Sequence, residues 1–216
     1  MDDRIRIKVC GMRQTRNIKE LVELMPDYIG FIFYPKSPRF AGKILDAAIT
    51  ADIPETIKKT GVFVNAPTQT IDETGIKYHL NAVQLHGQET PAQCRELRNR
   101  GYEVIKTFSI KEKADIGQTK TYAEFCDYFL FDTPTLKYGG SGNKFDWSVL
   151  EGTSIERPFF LGGGIEENDA MALINECPQR PYAIDINSRF ETTPGEKDIA
   201  SVGRFMNSIK NENRLF

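Results

Sequence analysis

FLGGGIEEN at 160–168 reads as the end of an apolar strand, a turn of three glycines and the acidic start of a helix. AIDINSRFE at 183–191 opens the same way, with an apolar run that breaks into polar turn residues. Working outward, runs rich in β-branched and aromatic residues fall at 4–10, 28–33, 60–64, 82–86, 103–108, 128–131, 159–161 and 183–186. Helical spacing follows at 15–24, 68–78, 91–100, 167–175 and 199–209, and is weaker after the second, fifth and sixth strands. Eight beats in 216 residues average about 27 each, the size of one βα unit, with no low-complexity linker or composition shift between them. The expectation is α/β: a single parallel domain over 1–216, closed into a (β/α)8 TIM barrel, with an open doubly wound sheet as the alternative.

Composition narrows the partners. Lys and Arg number 28 against 30 Asp and Glu, a net charge of −2, so no basic excess is present to grip nucleic acid or an anionic membrane. The longest apolar stretch, 28–34, is far short of a membrane span, and the first residues are acidic rather than a basic segment leading into a signal-type apolar run. Cys10, Cys94, Cys126 and Cys177 are scattered without a C-x-x-C pair, which suits reduced thiols in cytoplasm. His79 and His86 lack H-x-H or H-E-x-x-H spacing, so no metal site is expected.

In a barrel of this type the active site lies at the C-terminal ends of the strands. The candidates there are Cys10, residues 33–39, Asn65, His86, Phe108, Asp132, 162–164 and 185–189. The glycine turn with Gly163 and Gly164, and the eighth turn with Asn187 and Ser188, fit a phosphate site after strands seven and eight. Cys10 is followed by Gly11, which allows a sharp turn and leaves the thiol at the mouth as a candidate base. Lys8 shares its face one layer deeper, as a supporting cation, a structural partner of a carboxylate in the lumen, or both. Asp132 ends an apolar run that would desolvate it and favour its acid form; the bland reading is a helix cap or turn residue. Across the mouth, Cys10 and Asp132 would face each other. Arg39, on a loop stiffened by Pro35 and Pro38, suits a carboxylate, although an exposed loop arginine is commonly just solvated. His86 and Asp185 are supporting residues, and KYGGSGNKFDW at 137–147, with Gly140 and Gly142, reads as a lid.

With these segments in hand, the sequence resembles the phosphoribosylanthranilate isomerase family. The resemblance runs through KVCGM (8–12), GFIFYPKSPR (30–39), GVFVN (61–65), VQLHG (83–87), FLFDT with GGSGNKFDW, LGGGI and AIDINSRFE, in order along nearly the whole chain. It implies an Amadori rearrangement of N-(5-phosphoribosyl)anthranilate to 1-(2-carboxyphenylamino)-1-deoxyribulose 5-phosphate in tryptophan biosynthesis. Asp132 would be the acid, Cys10 the base and Arg39 the binder of the anthranilate carboxylate. The resemblance also implies no cofactor, a small phosphorylated aminosugar as the partner, and a monomer or homodimer. Arg189 departs from the family's common glycine at the eighth turn; it either supplements the phosphate site or turns to solvent or a carboxylate such as Glu191. The competing readings are a histidine-pathway aminoaldose isomerase, whose first strand ends in aspartate where this chain has Cys10, and a noncatalytic phosphate-ligand sensor.

Overall fold

Strand pairing runs once around a closed ring in sequence order. The strands are β1 (Arg6–Cys10), β2 (Tyr28–Ile32), β3 (Lys58–Phe63), β4 (Ala82–Leu85), β5 (Glu103–Ser109), β6 (Tyr128–Asp132), β7 (Phe159–Leu161) and β8 (Ala183–Ile186), all parallel, with β8 paired back onto β1. The computed structural model describes residues 4–133 and 145–212. Between the strands lie α1 (Thr15–Val22), α2 (Ala47–Asp52), α3 (Thr68–Lys77), α4 (Pro91–Asn99), α5 (Lys113–Ile116), α6 (Ala170–Asn175) and, at the end, α7 (Ile199–Glu212). The closed parallel ring is the expected (β/α)8 barrel, and the open sheet is excluded. None of the described helices is long and apolar enough to cross a membrane.

Local chemistry explains where the helices start. Asp46 caps α2 by accepting from the Ala48 amide at 3.0 Å, and Thr90 caps α4 with Pro91 in the first turn. The three beats with weak helical spacing carry short pieces: α2, then α5 running into a 3₁₀ turn at Gly117–Tyr122, then a 3₁₀ turn at Trp147–Leu150. Most elements shift by one to three residues at an end, and two of the shifts have a clear cause. β3 begins at Lys58, because Lys58–Thr60 must pair with Tyr28–Gly30 to complete the ring. The helix expected over 167–175 starts as a 3₁₀ turn, Glu167–Asp169, tightened by a reciprocal capping box between Glu166 and Asp169. An antiparallel hairpin not foreseen from the sequence, β9 (Glu191–Thr193) and β10 (Glu196–Lys197), sits between β8 and α7.

Alternation along each strand divides the core. Outward residues such as Ile7, Val9, Ile29, Phe31, Phe129 and Phe131 pack beneath the helices. A separate cluster of Tyr28, Ala82, Ile105, Leu130, Phe160 and Ala183 plugs the lumen. Other positions within the ring are polar, with Lys8, Thr60, Gln84 and Thr107 all buried. Gly30 lies beside Cys10 in the β1–β2 register, and a methyl group there would come within 2.8 Å of the Cys10 Sγ. Gly30→Ala is therefore expected to destabilise the protein by ~1–3 kcal/mol in denaturant unfolding. Much of that loss should disappear in a Cys10→Ala background; an undiminished loss would show that the clash is not with the thiol.

Candidate active site

At the C-terminal ends of the strands lies a cavity of about 750 Å³, counting the space open to solvent. Cys10, His86, Asp132 and Asp185 line it from the strand ends, Gly163, Gly164, Asn187 and Ser188 from the last two turns, and Ile32 and Val62 form apolar wall. Tyr34 and Ser37 enter from the β2 loop. Asn65, Phe108 and Arg39, also candidates from the sequence, are not part of its lining. Asn65 instead ties two loops together, donating its backbone N–H to Glu89 at 2.8 Å while its side chain accepts from the Gln88 amide at 2.7 Å.

Cys10 and Asp132 line this cavity from the ends of β1 and β6. Lys8 Nζ donates to Asp185 Oδ1 at 2.8 Å, so the supporting cation does have a lumen carboxylate as its partner. Burial pushes the Cys10 thiol above its ordinary range; Lys8 and Lys197 pull it down and Asp185 adds to the rise. Burial raises Asp132 to about 6, with the Thr133 amide, which donates at 2.8 Å, restraining the rise. That is short of half protonation at pH 7 but well above an ordinary carboxyl. His86 Nε2 stands 3.7 Å from Asp132 Oδ2, yet burial, with Lys106 and Lys8 nearby, lowers the imidazole to about 4. At neutral pH the contact is therefore between a neutral ring and a carboxyl group, not an ion pair.

The two turns are built differently. Gly163 takes φ +86° beneath the end of β6, where a Cβ would sit 2.5 Å from Thr133 Oγ1, and its carbonyl accepts from the Phe145 amide at 3.0 Å. The eighth turn is a short 3₁₀ piece, Ser188–Phe190, and not the direct start of α7, because the β9–β10 hairpin intervenes. Arg189 stays outside the cavity lining, 44% exposed in its side chain, with Nε 3.3 Å from Glu166 Oε1. It is thus carboxylate-paired, but to Glu166 and not to Glu191. Gly140 and Gly142 of the expected lid lie outside the described residues.

Arg39 corrects the picture of an exposed loop arginine. The β2 loop folds back so that Phe40 bridges Ile32 and the Ala41 amide bonds the Ile32 carbonyl at 2.8 Å, which buries Arg39 to 6% exposure. Its Nε donates to both oxygens of Glu191, at 2.9 and 3.0 Å, and its Nη2 donates at 2.7 Å. Lys197 Nζ closes the group, donating to Glu191 Oε1 at 2.6 Å and to Asn187 Oδ1 at 2.8 Å. Glu191 is held below the ordinary carboxylate range because, although burial pushes it up, Arg39 and Lys197 outweigh that. Sequence reasoning missed Lys197, whose setting, TPGEKD, looks like a solvated turn.

A closed (β/α)8 barrel with a thiol, a raised carboxyl and a glycine turn on one strand-end cavity has the make-up of a barrel enzyme. Residues 7–208 match the family described as N-(5'phosphoribosyl)anthranilate (PRA) isomerase, and the chain belongs to that family. It is 46% identical over 204 residues to the N-(5'-phosphoribosyl)anthranilate isomerase of Parabacteroides distasonis, covering 94% of this chain and 92% of that one. The Phocaeicola vulgatus isomerase is 41% identical, with 94% and 97% covered. Among solved structures, the isomerase from Thermotoga maritima superposes with a TM-score of 0.87 at 35% identity, covering 96% and 99%. A phosphoribosyl anthranilate isomerase in complex with reduced 1-(o-carboxyphenylamino)-1-deoxyribulose 5-phosphate gives 0.84 at 32% identity, also covering 96% and 99%.

The raised Asp132 carries a stability consequence. Its folded-state value of about 6 exceeds that of an ordinary carboxyl, so the folded protein holds the proton more tightly and stability falls as pH rises from about 4 through 6. Asp132→Asn is expected to be more stable than the parent by ~2 kcal/mol at pH 8, with the difference shrinking towards pH 4. Urea unfolding at the two pH values checks this, and equal stabilities at pH 8 would contradict it.

Proposed function

We propose that this chain converts N-(5-phosphoribosyl)anthranilate to 1-(2-carboxyphenylamino)-1-deoxyribulose 5-phosphate, an Amadori rearrangement in tryptophan biosynthesis, with Asp132 as general acid and Cys10 as general base. The observation that carries the residue assignment is the pairing of a raised carboxyl and a thiol in one cavity, on strands three steps apart around the ring. Asp132 protonates the furanose ring oxygen as the C–O bond opens to a Schiff base. Cys10 then removes the C2 proton, and the electrons move towards the substrate nitrogen to give an enolamine that tautomerises to the ketone. Gly163, Gly164, Asn187 and Ser188 hold the phosphate through backbone and amide donors, with Arg189 left outside. The site residues all come from one chain, so a monomer or a homodimer serves equally; a related structure is of monomers generated from the dimeric Thermotoga maritima isomerase. Its setting is the cytoplasm, a reading supported by four cysteines that are all free thiols.

Arg39 binds the anthranilate carboxylate with the edge that Glu191 does not use. Nε and Nη2 face Glu191, while among the described residues Nη1 has no protein partner. The terminal Nη1–Nη2 edge is the fork that grips a carboxylate through two parallel hydrogen bonds. Protonation sets a constraint on rate. Asp132 loses its proton near pH 6, whereas burial holds the thiol high, so the reactive form with carboxylic acid and thiolate is a minor one.

The test is an assay in which anthranilate and phosphoribosyl pyrophosphate supply the fluorescent substrate and isomerisation removes the fluorescence. Cys10→Ala should lower kcat by roughly 10²–10⁴-fold while binding of a reduced product analogue is retained. Turnover at the parent rate would remove Cys10 from the mechanism. Arg39→Ala should act chiefly on KM, and should weaken a product analogue carrying the carboxylate much more than one lacking it. Equal losses for both analogues would show that the guanidinium does not read that group.

A further inference from the structure

We infer that Lys197 is a positioning residue of this site, holding Asn187 and Glu191 in place and setting a positive charge beside Cys10 that favours the thiolate. The inference rests on the acid–base reading above and extends it to a residue outside the strands of the barrel. Lys197 is 2% exposed and its ammonium lies between Glu191 Oε1 at 2.6 Å and Asn187 Oδ1 at 2.8 Å. Through Glu191 it reaches Arg39, and through Asn187 it reaches the eighth turn, so one ammonium joins both proposed anion sites.

The local charge count shows what it does to the thiol. The charged groups facing Cys10 are Lys8 on β1, Asp185 on β8 and Lys197 on β10. Lys8 and Asp185 are paired and neutral together. Before substrate binds, Arg39, Glu191 and Lys197 are two cations on one anion, which leaves one positive charge that a Cys10 thiolate balances. Burial lowers Lys197 to about 8, with Glu191 supporting the charged form, and a thiolate at Cys10 supports it further.

The fold makes a dedicated arrangement for this side chain. Asn17 of α1, itself 1% exposed, grips the Lys197 backbone from both sides, accepting its N–H at 2.7 Å and donating to its carbonyl at 2.9 Å. Gly195, at φ +87°, turns the β9–β10 hairpin and donates its amide to Glu191 Oε1 at 3.1 Å. A hairpin whose only role was to link β8 to α7 would not call for a buried lysine.

The experiment measures alkylation of Cys10 by iodoacetamide against pH, with the site read by peptide mass mapping, in the parent, Lys197→Met and Lys197→Arg. In Lys197→Met the midpoint should move up by about one unit, giving about tenfold slower modification at pH 8, and kcat should fall more than KM rises. Lys197→Arg, which keeps the charge, should keep the midpoint near the parent value. A parent-like midpoint in Lys197→Met, or one in Lys197→Arg shifted as far as in Lys197→Met, would overturn the inference. If Lys197→Met does not fold, Asn17→Ala, which loosens the backbone of Lys197 without touching the cavity, should raise the midpoint; an unmoved midpoint there overturns it as well. Failure of the parent to isomerise phosphoribosylanthranilate would count against the proposed function, whereas the alkylation midpoints still report whether Lys197 governs Cys10.

Discussion

The ring closes where β8 meets β1, and at that seam Lys8 stands in register with Asp185, Nζ 2.8 Å from Oδ1. A lysine with no exposed surface is tolerable only with such a partner, since removing an ion from water costs several kcal/mol and only close pairing offsets it. The pair therefore ties the closure of the barrel to one register. Because side chains alternate along a strand, the same register sets Cys10 two residues beyond Lys8 and Asn187 two residues beyond Asp185, both towards the cavity. A slip of one residue would turn the thiol outward and strand a buried charge.

The lumen plug prepares the chemistry. Phe160 makes edge contacts with Tyr28 and Tyr128, at centroid separations of 5.1 and 5.4 Å, and Tyr182 joins them at 5.6 Å from Phe160. With water excluded from this end, charge is poorly solvated along the ring, which is why burial is the leading cause of the raised values of Asp132, Asp185 and Cys10. A second buried pair holds the opposite side. Lys106 Nζ donates to the carbonyls of Leu85 and Gly87 and to the Glu89 carboxylate, fixing the turn that carries His86 and adding to the burial that keeps that ring neutral. At Asp132 the environment that would suit the proposed general acid also penalises the ionised form at neutral pH.

Glu191 shows how a buried carboxylate serves as an organiser. Held below its ordinary range by two cations, it stays ionised and fixes Arg39 along one edge, which leaves the other edge directed by geometry and not by chance. A guanidinium already oriented loses less entropy on gripping a carboxylate than one waving on a loop.

Sequence alone carried the architecture and placed several residues of the candidate site. Eight strand runs, five of them followed by clear helical spacing, pointed to eight βα units, because residue period reflects which face of each element is buried. Cys10, Asp132 and the glycine turn were legible because a barrel places strand ends at its mouth, and all of them line the cavity. Element ends were less legible: Lys58 looks like a turn residue until the ring requires it to pair with Tyr28. What only the tertiary structure decided was which charges meet. Arg39 and Glu191 are separated by 152 residues and Lys8 and Asp185 by 177, and Lys197 reaches the site from a two-residue strand. Nothing local distinguishes a lysine that will be buried against a distant carboxylate from one left in water. Its partner and its desolvation exist only once the chain has closed on itself.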